Sequence, residues 1–257
     1  MTCAVLRHAG ILPRSGSMRV PEVDLVRAVA LCMMIVYHFL FAIRFLDMAD
    51  VEVLIGFWRV FAYATASLFV AIAGVSLTLA ATGLRRRGES ERRVAAAQLR
   101  RGLTIFAWGL VITLVTSLAL EQGAILFGIL HLIGLGTILA IPLVDRPRAS
   151  LVIGTLCLFL GPLAARYTGP LWLVWLGFHP SDFVSLDYVP LLPWFGVLLI
   201  GVTTGWALFP NGMPRRQLRP FPGWAAPLLW LGRHTLLIYL IHAPVILAFL
   251  LAWKSIA

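Results

Sequence analysis

Two residues able to do chemistry stand eleven apart in an otherwise apolar stretch. They are Arg27 and His38, in the run Glu22-Val-Asp-Leu-Val-Arg-Ala-Val-Ala-Leu-Cys-Met-Met-Ile-Val-Tyr-His38. Eleven helical steps turn by about 1100°, close to three full turns, so one helix face carries both, about 16 Å apart along the axis. An ionisable group that deep in a membrane helix is expensive and marks a functional site. A cation at the membrane edge and a titratable ring in its middle suggest a path from surface to interior.

Other residues could join that path. His131 and His242 also fall within apolar runs. Counted from the inner helix ends, His38, His131 and His242 lie at roughly 16, 20 and 12 Å depth, a common layer near mid-bilayer. They either line one polar pocket, or each fixes packing through a hydrogen bond to a neighbouring helix. Tyr239 stands three before His242 and shares its face. Asp24, three before Arg27, either complements the helix dipole or holds Arg27 ready for an anion. Arg233 opens the last run, where it can bind phosphate or snorkel to lipid headgroups. Asp187 precedes Pro190-Leu-Leu-Pro-Trp-Phe-Gly196 and can bind an acceptor at the outer mouth or cap that helix. The three cysteines lie far apart, and no metal-ligand spacing occurs, so no metal is expected.

The elements that must position these residues are membrane helices. The chain has 257 residues, of which 60% are hydrophobic and 12% charged, and its mean hydropathy is +0.92. A soluble domain would carry about a quarter charged residues. Seven apolar runs reach the roughly 20 residues that span a bilayer: about 27–46, 60–82, 103–121, 124–144, 149–168, 189–209 and 234–253. The segments 170–188 and Phe221–Leu231 are expected to lie at the interface. The fold class is therefore all-α, a polytopic bundle of about seven transmembrane helices. Residues 18–257 form its single domain, and 1–17 read as a disordered tail or a mis-assigned start. Gly201-Val-Thr-Thr-Gly205 could bring the sixth span close to a neighbour.

The net charge of +10 is a topology signal and no mark of nucleic-acid binding. Seventeen of the 21 basic residues fall on one side of the alternating spans, including Arg85–Arg87, Arg100 and Arg101. The other side has Arg44, Arg59, Arg166 and Lys254. The positive-inside rule then puts the N-terminus in the cytoplasm and the C-terminus outside, as in a bacterial or archaeal inner membrane.

Arg27, ten intervening residues and His38 resemble the Arg-x10-His pattern of the membrane acyltransferase superfamily. More specifically, the chain resembles the catalytic domain of the heparan-α-glucosaminide N-acetyltransferase family. The further segments are Phe69-Val-Ala-Ile-Ala-Gly-Val-Ser76, Ile125-Leu-Phe-Gly-Ile-Leu-His-Leu-Ile-Gly134, Pro190–Gly196 and Leu231-Gly-Arg-His-Thr-Leu-Leu-Ile-Tyr-Leu-Ile-His242. They occur in family order over about residues 20–245. The resemblance implies acetyl-CoA or another acyl-CoA as co-substrate, bound on the cytoplasmic side. The acyl group would pass to a hydroxyl or amine of a sugar or glycolipid acceptor across the bilayer. By the same resemblance Arg27 binds the CoA end and His38 acts in transfer; in the acyltransferase reading Asp24 would hold Arg27, and Arg233 or the 85–101 loop would assist in holding the CoA phosphates. His242, His131 or Tyr239 would orient His38 or polarise the thioester, and Asp187 would bind acceptor. A homo-oligomer is compatible with this reading. The rival is a sugar or lipid transporter with a histidine relay, disfavoured by the missing inverted repeat and the few membrane carboxylates. A retinal pigment is disfavoured because the only lysine, Lys254, lies at the C-terminal edge.

Overall fold

Each apolar run needs a start, a stop and a partner face, and the chain supplies them unevenly. The structure, a computed structural model, describes residues 20–214 and 221–256. The expectation for residues 1–17, and the topology arginines 7, 14, 19, 215, 216 and 219, lie outside the described residues. The helices are α1 (Pro21–Phe45), α2 (Gly56–Arg85), α3 (Glu91–Ala119), α4 (Ile129–Ala140), α5 (Pro147–Ala164), α6 (Leu191–Leu208), α7 (Ala226–Arg233) and α8 (Thr235–Lys254). No strand is present among the described residues. The protein is an all-α, polytopic membrane protein. Among the described residues six helices are long and apolar enough to cross a membrane.

Prolines at the first turns of α1 and α5 need no backbone partner there, which favours starting a helix at those points. Glu22 and Asp24 place negative charge at the positive end of α1. The two ends of the bundle are tied separately. On the arginine-rich side, Arg85 pairs with Glu91 and Asp145, joining the α2–α3 loop to the α4–α5 joint. On the opposite side, Lys254 Nζ donates to Leu46 O at 2.7 Å. These ties group the loops as the alternation of spans requires.

The fourth span is shorter than the sequence suggests. Its helix starts at Ile129, not 124, and with the following 3-10 turn the apolar stretch ends at Leu143. Fifteen residues rise only about 22 Å, short of the roughly 30 Å hydrocarbon core. Two segments from the opposite side make up the depth. Leu186 N donates to Gly123 O at 2.9 Å and Val189 N to Phe127 O at 3.0 Å, so irregular backbone is satisfied internally, as hydrocarbon demands. The 170–188 segment therefore does not simply lie at the interface, because its last residues fold inward to meet α4. Phe221–Leu231 forms a 3-10 turn and then most of α7, with Trp224 and Trp230 exposed.

Between membrane helices, packing replaces the hydrophobic drive, and small residues permit it. The Gly201–Gly205 pattern does bring α6 close to a neighbour, namely α2. A Cβ at Gly201 would collide with the Ala71 backbone, and one at Gly74 would lie 2.8 Å from Val202 N. Thr78 Oγ1 donates to Val202 O at 3.1 Å across the same seam. The fully buried Leu77, Leu198, Leu199 and Val202 fill the core around it. By contrast, among the described residues α8 packs mainly against α1 and α7. Gly201→Ala should therefore lower the melting temperature in detergent, at about 1–3 kcal/mol of overpacking. Gly83→Ala, in a position with open space, should leave it unchanged or slightly raised, and equal effects would contradict this packing account.

Candidate active site

Asp24 lies at the start of α1 and is buried, with its side chain 9% exposed. Its Oδ1 accepts from Arg27 Nη1 at 2.9 Å, and its Oδ2 pairs with Arg233 Nε at 3.6 Å. Gly232 makes the second contact accessible: a Cβ there would strike the Asp24 carbonyl, so only glycine lets the end of α7 approach this closely. Arg27 reaches further, donating from Nη2 to Ser76 Oγ at 2.6 Å. Ser76 in turn donates to Ile72 O. The guanidinium is held from two helices while 26% of the Arg27 side chain stays open.

That open surface faces two contiguous cavities. One of about 520 Å³ lies toward the arginine-rich loops and is lined by Asp24, Gln98 and Arg87. The other, of about 470 Å³, runs inward past Phe69, Thr104 and Ile133 to Ile129 and Tyr239. Arg27, Ser76, Arg101 and Arg233 border both. With Arg100 in the inner cavity, five guanidiniums and one carboxylate line the combined space. Such a lining selects for an anion with an apolar or neutral extension.

The inner cavity ends at Ile129 and Tyr239, and Tyr239 is the ring neighbour of His242. His38 and His242 rings stand edge to face, 4.8 Å between centroids. His38 Nδ1 lies 2.8 Å from Met34 O, and His242 Nδ1 lies 2.6 Å from Tyr239 O. A carbonyl only accepts, so each Nδ1 carries the proton and each Nε2 presents a lone pair. His242 Nε2 is buried with no hydrogen-bond partner among the described residues, an uncommon state for a buried nitrogen. Tyr239 packs on His242, with ring centroids 5.6 Å apart.

Asp187 reaches the same place from the opposite side. It lies within electrostatic range of His38, Tyr37 and Tyr239. Part of the residue stays accessible, yet its carboxyl is crowded by protein. Burial pushes the acid above its ordinary range, opposed by the Ile129 N–H and by His38. Asp187 caps a helix, as one of its two readings held, but that helix is α4 and not α6. Its Oδ2 accepts from Ile129 N at 3.0 Å. The start of α6 has no donor to offer: Leu191 N and Leu192 N already bond Trp175 O and Leu176 O, and Pro193 lacks an N–H.

The structure thus brings together Asp24, Arg27 and Arg233 at one end, and His38, His242, Tyr239 and Asp187 at the other. His131 has a different set of partners. Its Nδ1 accepts from Gly128 N at 3.2 Å, so Nε2 carries the proton and donates to Thr113 Oγ1 at 3.2 Å. Thr113 donates onward to Ile125 O at 2.6 Å. Both ring nitrogens are used in shaping the start of α4, and the residue is fully buried against Gly109 and Phe106. Three residues bordering the cavities were not singled out as site residues from sequence. Ser76 stood only within the Phe69–Ser76 segment, and Arg100 and Arg101 only within the 85–101 run, read as a topology determinant that could also contact a phosphorylated ligand. Among the described residues no cluster of His, Cys, Asp or Glu could hold a metal ion.

No curated protein and no solved structure matches the chain. The family model described as "Heparan-alpha-glucosaminide N-acetyltransferase, catalytic" matches residues 19–244. That stretch includes the arginine clamp and both facing histidines, and the chain belongs to this membrane acetyltransferase-like family.

Proposed function

We propose that the protein moves an acetyl or other short acyl group from acyl-CoA to a hydroxyl or amine of a sugar-like acceptor arriving from the far side. The observation that carries this reading is a match of length along α1, beside a cavity that runs from Arg27 to Tyr239, the ring neighbour of His242. The pantetheine arm has about a dozen chain bonds, and an extended chain advances about 1.2 Å per bond, giving about 15 Å. Arg27 and His38 are about 16 Å apart along α1. A diphosphate held at Arg27 and Arg233 would bring the thioester to the level of His38.

In this reading the acceptor N–H or O–H gives its proton to His38 Nε2 as its heteroatom attacks the thioester carbonyl. The Met34 carbonyl fixes the tautomer that makes Nε2 the base. The Asp187 carboxylate, in range of the ring, stabilises the imidazolium that forms. The developing oxyanion takes a hydrogen bond from the Tyr239 hydroxyl, which lines the cavity. His242 offers an acceptor rather than a donor at Nε2, so it suits receiving a proton better than polarising the carbonyl. The tetrahedral intermediate then expels CoA thiolate, which takes the proton from His38. If His38 itself attacks, the same atoms form a transient acyl-imidazole that the acceptor relieves. The arginine-rich side is the cytoplasmic one in this account, where acyl-CoA is available.

Calorimetry of acetyl-CoA against detergent-purified protein tests the binding half. Arg27→Ala should weaken binding about ten- to a hundredfold, the range of lost charge-assisted bonds. His38→Ala should bind nearly as well as wild type yet lose transfer to an amino sugar. Unimpaired transfer by His38→Ala would contradict the mechanism, and unimpaired binding by Arg27→Ala the donor site.

Asp187 allows a separation of capping from charge. Asn caps a helix about as well as Asp, whereas Ala loses about 1 kcal/mol. Asp187→Asn should keep the melting temperature and lose at least tenfold in transfer, and Asp187→Ala should lose both. Full activity in Asp187→Asn would reduce the residue to a cap.

A further inference from the structure

The inner cavity has two walls that do not meet. Phe69 of α2 lies at its back. Ile105 of α3 and Ile133 of α4 form one wall, and Leu236 and Tyr239 of α8 form the other. Behind the cavity the walls are joined, because α8 packs on α1, α1 on α2, and α2 on α3 and α4. In front they are not. Among the described residues no Cα of α7 or α8 lies within 8 Å of a Cα of α3 or α4. Both lips of this gap are open: Leu236 is 37% exposed, and Thr104, beside Ile105, is exposed as well. Helices α3 and α8 are both long and apolar enough to cross the membrane, so the gap between them faces hydrocarbon. Tyr239 stands only about 4.5 Å further along α8 than Leu236.

A closed pocket and a slotted one select different acyl groups. With the pantetheine arm in the inner cavity, of about 470 Å³, the thioester lies at the level of Tyr239, and an acetyl group ends there. A longer chain must go deeper or leave sideways. The deeper way is packed: the His242 ring lies 5.6 Å from that of Tyr239, and Ile129 and Phe127 are buried. The sideways path runs between Ile105 and Leu236 into lipid, which receives methylenes as readily as an apolar pocket does. An eight-carbon chain reaches about 9 Å, close to the width of a helix, and so clears the lips. We infer that the gap between α3–α4 and α8 is a side opening through which the donor's acyl chain lies in the bilayer, so that acyl-CoA donors with medium and long chains are used alongside acetyl-CoA. The inference rests on the acyl-CoA reading above and names its class of acyl group. Continuity sets the occupant, because the gap opens from the same space that would hold the thioester.

The test is a series of donors, acetyl-, butyryl-, octanoyl- and dodecanoyl-CoA, read as kcat/KM for transfer to an amino sugar by the full chain in liposomes. Wild type should use octanoyl-CoA within about tenfold of acetyl-CoA, whereas a closed apolar pocket discriminates about ten- to two-hundredfold over a single methylene. Leu236→Trp narrows the gap from one lip and Ile105→Trp from the other. Each should lower kcat/KM for octanoyl-CoA about tenfold or more relative to acetyl-CoA, and Leu236→Ala should not. The ratio is taken within each variant, so a general loss of folded protein cannot mimic it, and the two variants lie on different helices. A wild type that uses acetyl-CoA and rejects octanoyl-CoA would overturn the side opening while leaving the acyl-CoA reading intact. A ratio unmoved by both Trp variants would also overturn it, giving the gap to a structural lipid or, where the variants change the oligomer, to a second copy of the chain. Absence of transfer from every donor would overturn both.

Discussion

One buried carboxylate shared by two guanidiniums organises the arginine-rich end of this protein. Asp24 on α1 holds Arg27 on its own helix and Arg233 at the joint between α7 and α8. Among the described residues the last helix packs mainly on α1 and α7. The Asp24–Arg233 pair adds to the packing of α7 and α8 on α1 that sets where Tyr239 and His242 enter the bundle. A single acid between two cations also leaves net positive charge at the neck between the cavities. The clamp therefore ties α7 to α1 while leaving net positive charge at the cavities, which a one-to-one ion pair would cancel.

The other end obeys a different constraint, the intolerance of hydrocarbon for unsatisfied backbone. Helix α4 is too short to cross alone, so two loops descend to complete it. Their amides and carbonyls bond one another, and His131, Thr113 and Asp187 close the remaining gaps. Asp187 is carried in by this arrangement. A carboxylate that caps a truncated helix thereby comes within electrostatic range of His38.

The sequence made one axis of the site legible and hid the rest for physical reasons. Arg27, His38, Tyr239 and His242 could be paired because helical periodicity fixes their faces within single helices. Asp24 could be linked to Arg27 by the same rule. The contact of Asp187 could not be assigned from its own segment. It depends on where α4 begins, and an apolar run does not reveal whether its first residues are helical. His131 shared a counted depth with the other histidines, yet depth says nothing about which neighbour faces the ring. Arg101 was hidden inside an arginine run whose bulk satisfies topology, and only packing separates the member that turns inward. The Gly201–Gly205 pattern announced a close approach without naming α2 as the partner.

The central claim is a group transfer across the membrane. It is tested most directly in proteoliposomes of the purified protein, sorted for orientation. Radiolabelled acetyl-CoA is added on the arginine-rich side and an amino sugar such as glucosamine is confined to the other. The account predicts labelled N-acetyl product on the acceptor side, dependent on His38, with no movement of unmodified sugar. Passage of the sugar without acetyl-CoA, or no labelled product in either orientation, would contradict it.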